Sequence, residues 1–362
     1  MNGFAIWVLA CFLTIRPSTE PVASPQQNVF RDRDELIFSP SITDEELMAL
    51  IPSPDISRIA FAEGPNRWKS QMTAAGLETL ARWTNLRSLS LPDGVVTDEL
   101  LLKLSPLTQL RSFDLMGMRY GAAVSARGFA VLLSFPHLHE LRLDGLILSD
   151  EVTIPIGTLT ELRSLQFYRA PITDAGIAKL SRLTMLEELG LGESQVSDKS
   201  LEIIGKMTRL QSLDLRAPVT GKGLSALRNL KDLKWLTLGP TVNDDTLEAI
   251  APLKNLEHLY LEKAQISDSQ LHRLSAFPLL KTLDLSGTRV TDEGMKSIFA
   301  LPALTDLRLE DTGITDNTLN FISAQSPSAL PRLEHLSLRG AAVTDEALAR
   351  LKTARPTLNL YR

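Results

Sequence analysis

The 362-residue chain holds a single cysteine, Cys11, which excludes an internal disulfide and a zinc site built from cysteines. Aromatic residues make up only 6% of it. Neither sign of charge dominates: 38 Lys and Arg stand against 43 Asp and Glu, a net of -5, so the basic footprint of a nucleic-acid binder is missing. The apolar run Phe4 to Ile15 has twelve residues, short of the roughly 20 that a membrane-spanning helix needs. With 44% hydrophobic and 22% charged residues, the composition excludes wholesale disorder and a polytopic membrane protein.

The apolar run has the length of a signal-peptide core, although Met1-Asn2-Gly3 before it carries no Lys or Arg. Small residues follow at Val22-Ala23-Ser24. Residues 1–24 therefore read as a signal peptide or membrane tether. Residues 25–40, in a stretch rich in Pro, Ser, Gln and charge, read as a disordered linker. Residues 41–362 read as one domain.

That domain is a repeat. Leu-x-x-Leu-x-Leu begins at Leu86, Leu138, Leu186, Leu210, Leu233, Leu256, Leu280, Leu304 and Leu333, with aromatic variants at Leu110 and Leu162 and a degenerate copy at Ile56. From Leu162 to Leu304 the steps are 24, 24, 23, 23, 24 and 24 residues. A second half follows each strand, typified by Ile172-Thr173-Asp174, Val290-Thr291-Asp292 and Ile314-Thr315-Asp316. Apolar residues then recur at helical spacing, as in Met295, Ile298 and Leu301. Each unit is thus a short strand, a turn and a short helix. The Ser or Thr caps the helix, and the Asp complements the positive end of its dipole. A calcium array built from these aspartates is disfavoured, because each precedes an apolar helix and no calcium-loop spacing occurs.

About twelve copies in one phase resemble the leucine-rich-repeat family from about Ile42 to Arg362. The Thr-x-Val/Ile-Thr-Asp form looks like the 23–24-residue arrays of bacterial exported proteins. It is also similar to the cysteine-containing, F-box-associated subtype, without its cysteines. The slot that usually holds Asn or Cys carries Gly94, Ala170, Ser194, Ala264, Thr288, Thr312 and Ala341, so the familiar asparagine ladder is missing. The resemblance implies an α/β solenoid with a parallel sheet on the concave face and short helices on the convex face. Ile42-Thr43-Asp44-Glu45-Glu46 reads as an N-terminal helical cap with a capping box. Cysteine-rich caps and Asn-x-Ser/Thr sequons are absent, which argues against a secreted eukaryotic ectodomain.

Strand alternation sends the residues flanking the second and third leucines to the concave surface. Trp235, His258 and Tyr260 then meet on adjacent strands, flanked by Arg216 and Glu262, with Tyr168 on an earlier strand. Gly190, Gly192 and Gly239 leave bare backbone beside them. Tryptophan, tyrosine and arginine are enriched at binding hot spots, so this patch is the candidate partner-binding surface. Cross-strand stacking that only stabilises the sheet is the competing reading. The charged ladder Asp214, Asp284, Asp306 and Arg308 reads as a solvated face. Two long repeats insert residues between strand and helix, carrying Trp68 and Tyr120 to one rim as further candidates. A third insertion, Ser323 to Pro331, belongs to the opposite rim.

No catalytic constellation occurs. Thr220-Gly221-Lys222-Gly223 lacks the earlier glycine of a phosphate loop. His137 and His139 share a side of the chain while Glu140 points away, so no metal site is expected there. No cofactor is expected either. The expected function is a non-catalytic protein-binding scaffold, exported to the periplasm or cell envelope. Saccharides remain open as partners because aromatic patches stack on sugars. The alternatives are a cytoplasmic adaptor or injected effector resembling F-box-linked repeat proteins, and a self-associating structural array.

Overall fold

The computed structural model describes residues 28–39, 41–62, 72–91, 96–115, 124–146, 148–325 and 328–362. The apolar run at residues 4–15, and Trp68 and Tyr120 with most of their two insertions, lie outside these residues. Among the described residues, fifteen strands form one open sheet in sequence order. The first two, Val29–Asp32 and Glu35–Phe38, pair as an antiparallel hairpin. From Glu35–Phe38 to Asn359–Tyr361 each strand lies parallel to the next. Among the described residues, no helix is long and apolar enough to cross a membrane.

The hairpin corrects one expectation. Part of the stretch read as linker is ordered sheet, because Leu36 and Phe38 alternate inward and join the core, with Phe38 edge-on to Phe61 at 5.1 Å. Two inward residues are too few for a period-2 signal to stand out. The capping box does form: Thr43 N–H donates to Glu46 Oε2 at 2.8 Å, and Glu46 N–H donates to Thr43 Oγ1. Among the described residues, the hairpin is the first edge of the sheet and this helix precedes the first long repeat.

The middle apolar residue of the repeat strands, mostly leucine, builds a continuous spine. Leu165, Leu189, Leu213, Leu236, Leu259, Leu283 and Leu307 stand in register on successive strands, all essentially inaccessible to water. Each contributes roughly 1.5–3 kcal/mol by burial, and no repeat could bury its own without neighbours.

The helix ends carry a second tie between repeats. Thr291 N–H donates to Asp268 Oδ1 at 2.8 Å and its hydroxyl to Asp268 Oδ2 at 2.6 Å, while Thr291 Oγ1 accepts from Glu293 N–H in its own helix. The same two bonds run from Thr173 to Asp150, Ser197 to Asp174, Thr315 to Asp292 and Thr344 to Asp316. The aspartate stands in the first turn of its own helix, as expected, and its carboxylate also clamps the next repeat. A hydroxyl is needed at the cap because it must donate and accept at once. The residue three after the cap responds in kind. It is glycine at Gly76, Gly128 and Gly294, where an added Cβ would run into the clamping aspartate. At Ser200 and Thr318 it is a hydroxyl donating a third bond, to Asp174 and Asp292. The missing asparagine ladder is replaced mainly by this clamp, since Thr288 and Thr312 turn their hydroxyls to carbonyls of their own repeat.

Most repeats leave their strand through a left-handed residue, such as Arg169 (φ 61), Glu193 (φ 62), Lys263 (φ 59) and Gly287 (φ 70). This turns the chain while its N–H still reaches the next repeat, as Arg169 N–H does with Gly192 O at 2.9 Å. The third insertion is tied down by Arg355. Its buried guanidinium donates to the carbonyls of Ala329 and Leu330, and burial pulls its pKa below the ordinary arginine value.

Burial opposes ionisation of Asp174, Asp244 and Asp292, but the hydrogen bonds they accept outweigh it and hold all three below the ordinary aspartate value. A depressed folded pKa means that the stabilisation is full above the unfolded value, about 4, and is lost as pH falls through the folded values. We therefore expect Asp292→Ala to lower urea stability at pH 7 by about 2–3 kcal/mol, and the wild-type-to-variant gap to shrink as the pH is taken below about 4. A loss within about 0.5 kcal/mol, the scale of ordinary surface changes, would contradict the clamp.

Candidate functional site

The expected aromatic row exists. Trp235 opens the strand Trp235–Leu238, and parallel register sets it beside His258 of the strand His258–Tyr260. The indole stacks on His258 with centroids 4.3 Å apart and on Tyr260 at 5.3 Å. Arg308, two strands beyond Tyr260, places its guanidinium 5.6 Å from the Tyr260 ring centre. Stacking leaves Trp235, His258 and Tyr260 half-buried rather than fully exposed. Burial pushes the Tyr260 phenol up to about 12 and pulls His258 below its ordinary value, the latter with Nδ1 2.9 Å from Thr282 Oγ1.

The charged ladder departs from a solvated face. Asp284 is 7% exposed, and burial raises its carboxyl despite the hydrogen bond it accepts from Ser286 N–H. Arg308 lies close against it, with Nη1 3.8 Å from Asp284 Oδ2 and Nε 3.2 Å from Asp306 Oδ1. This arginine was not among the candidate residues, yet it closes the aromatic row. Its place was readable as the position two strands on from Tyr260 in the repeat alignment.

Tyr168 and Arg216 form a second cluster. The Arg216 guanidinium sits 5.2 Å from the Tyr168 ring centre and pairs with Asp214, while the Tyr168 hydroxyl bonds Glu193. Burial and that bond push the Tyr168 phenol up to about 12. Gly190 and Gly192, on the strand between Tyr168 and Arg216, do not leave open backbone as expected. The Tyr168 ring and Arg216 converge over Gly192, and the Gln166 side chain lies over Gly190. The missing side chains make room for long neighbours, not bare surface. Glu262 pairs with adjacent Lys263 at 2.9 Å, and its charge adds to the rise of the Asp284 carboxyl. His137 and His139 do share a side of the chain, and Glu161 of the next repeat lies 3.3 and 3.6 Å from them, while Glu140 turns to Ser112. Among the described residues, no group of three His, Cys, Asp or Glu is arranged to hold a metal ion.

Two measurements follow. His258 should titrate below about 6.5 by NMR; because its folded pKa is depressed, its protonation on acidification costs stability. A midpoint at or above the ordinary value would contradict the stacked, half-buried ring. In Gly192→Ala the new methyl would lie 2.8 Å from Tyr168 Cδ2. The Tyr168 phenol should then be displaced and its titration fall towards the ordinary value of about 10, read by ultraviolet difference titration against Tyr168→Phe.

A family model described as a leucine-rich repeat region matches residues 132–358. Among solved structures, the chain is similar to an internalin, InlF, from Listeria monocytogenes, with a TM-score of 0.55 and 22% identity over 91% of this chain and 86% of that one. It is also similar to TLR13 in its complex with the RNA ssRNA13, with a TM-score of 0.55 and 20% identity. That match covers 86% of this chain but only 43% of the TLR13 chain. A search of curated proteins finds no significant match. With the repeat model spanning more than half of its length, the chain belongs to the leucine-rich-repeat family.

Proposed function

We propose that the protein is a non-catalytic scaffold that binds another protein through the concave sheet. The observation that carries this reading is the row Trp235, His258, Tyr260 and Arg308, which gathers aromatic and guanidinium groups on the sheet's outer face. Such groups supply large contact area at low conformational cost. A rigid ladder holds them, so little entropy is lost when a partner docks. Carboxylates outnumber guanidinium groups on the concave strand positions, which disfavours a polyanion such as nucleic acid on this face. Export to the periplasm or envelope is proposed on the apolar run Phe4 to Ile15 alone. Signal peptide and tether readings of residues 1–24 both stand within that proposal. Rim contacts through Trp68 and Tyr120 belong to it as well.

The test is capture of partners from separate cytosolic and envelope fractions with the full chain, beside Trp235→Ala and Tyr260→Ala baits that match it in circular dichroism. Loss of a captured protein in both variants, restored by neither, supports the concave reading. Equal recovery by all three baits overturns it. A partner from the cytosolic fraction alone would favour the adaptor over the exported scaffold.

A further inference from the structure

The two repeats beneath the candidate surface are the short ones, with steps of 23 residues from Leu210 to Leu233 and from Leu233 to Leu256. Their shortening removes several ties at one place. Neither has the left-handed residue that follows the strand in the repeats on both sides; Ala217-Pro218 and Gly239-Pro240 stand there instead. Thr241 stands where Gln195 donates its N–H to Ile172 O at 2.9 Å in an earlier repeat, and no such backbone bond from Thr241 crosses the junction. Above all, the clamp is missing. The residue after the cap Thr220 is Gly221, and at the matching cap position of the next repeat stands Asn243, whose side-chain oxygen accepts from Asp245 N–H of its own helix start.

The residue three after that cap, Thr246, shows what is lost. Its counterparts Ser200 and Thr318 donate to the preceding aspartate. With Gly221 in that place, the fully buried Thr246 hydroxyl has no partner. At two other junctions without an aspartate, after Ala74 and Ala126, the same position is apolar, Leu100 and Val152, and nothing is left unpaired. The sheet side of the junction is intact: Ser212–Leu215 pairs with Trp235–Leu238 over four residues. On the turn side Thr241 Oγ1 bridges the junction, donating to Ala217 O at 3.1 Å and lying 3.5 Å from Val219 O.

We propose that the junction between the Thr220 and Asn243 repeats is a curvature joint, pivoting on the sheet and opening on the turn and helix side. It lies between Arg216 with Asp214 and the Trp235 row, so its opening changes the spacing of the two clusters. Resting on the concave-binding reading, the joint adapts that surface to its partner's shape. Solenoid stability is a sum of nearest-neighbour terms, so a weak interface concentrates the motion.

Hydrogen exchange of the full chain reads the joint directly. Amides of Thr241–Thr246 should exchange on the order of tenfold faster than those of the equivalent Arg289–Gly294 segment. Equal protection overturns the joint. Two substitutions give an independent check. Thr246→Val removes an unpaired buried hydroxyl and should raise Tm by roughly 2 °C, whereas Thr318→Val breaks a clamp bond and should lower it. A matching fall in both variants would mean that Thr246 is bonded and would sink the proposal. These readouts need no partner: uniform protection with capture still lost in Trp235→Ala removes the joint and leaves the surface, and the converse leaves the joint without the surface.

Discussion

A carboxylate shared between repeats disciplines this solenoid. Each clamping aspartate accepts the backbone N–H and the hydroxyl of the next helix cap, and the same hydroxyl accepts from the helix it starts. Helix initiation in one repeat is therefore bonded to the repeat before it. Leucine burial drives the stacking but is indifferent to small rotations, because apolar contact has no direction. The clamp is directional, so it sets the phase of successive helices. Other choices follow from it: a hydroxyl and not an amide at the cap, and glycine, serine or threonine where the carboxylate needs space or another donor.

The concave face inherits that regularity and converts it into chemistry. Because adjacent strands are in register, one substitution in each of a few repeats suffices to stack Trp235 on His258 and Tyr260 and to bring Arg308 to the far side. The charges interleaved with the rings are largely matched within the face, as Arg216 is with Asp214 and Arg308 with Asp284 and Asp306. On the proposed reading, recognition rests on shape and ring contact more than on net charge. The short repeats place the least constrained junction between the two clusters, so rigidity and adaptability occur in one surface.

The solenoid, the strand and helix phase, the caps and the aromatic row were legible in the chain because all of them are periodic. Leu-x-x-Leu-x-Leu marks the strand, alternation marks its outward residues, and Thr-Asp marks the helix start. The same periodicity hid other features. The hairpin at Val29–Phe38 falls outside the repeat and holds too few inward residues to announce itself. The partner of each clamping aspartate lies 22 to 29 residues away, and only the residue three after the cap betrays it.

Sequence by itself thus determined the architecture, since a local pattern repeated at constant spacing has one way to bury its leucines. Tertiary structure decided what the individual side chains do. Gly192 serves Tyr168 and Arg216 instead of a partner, Asp284 is buried instead of solvated, and the aspartates bond forward along the stack. These outcomes depend on distances between repeats of a few ångströms, which register and curvature set and linear spacing does not contain.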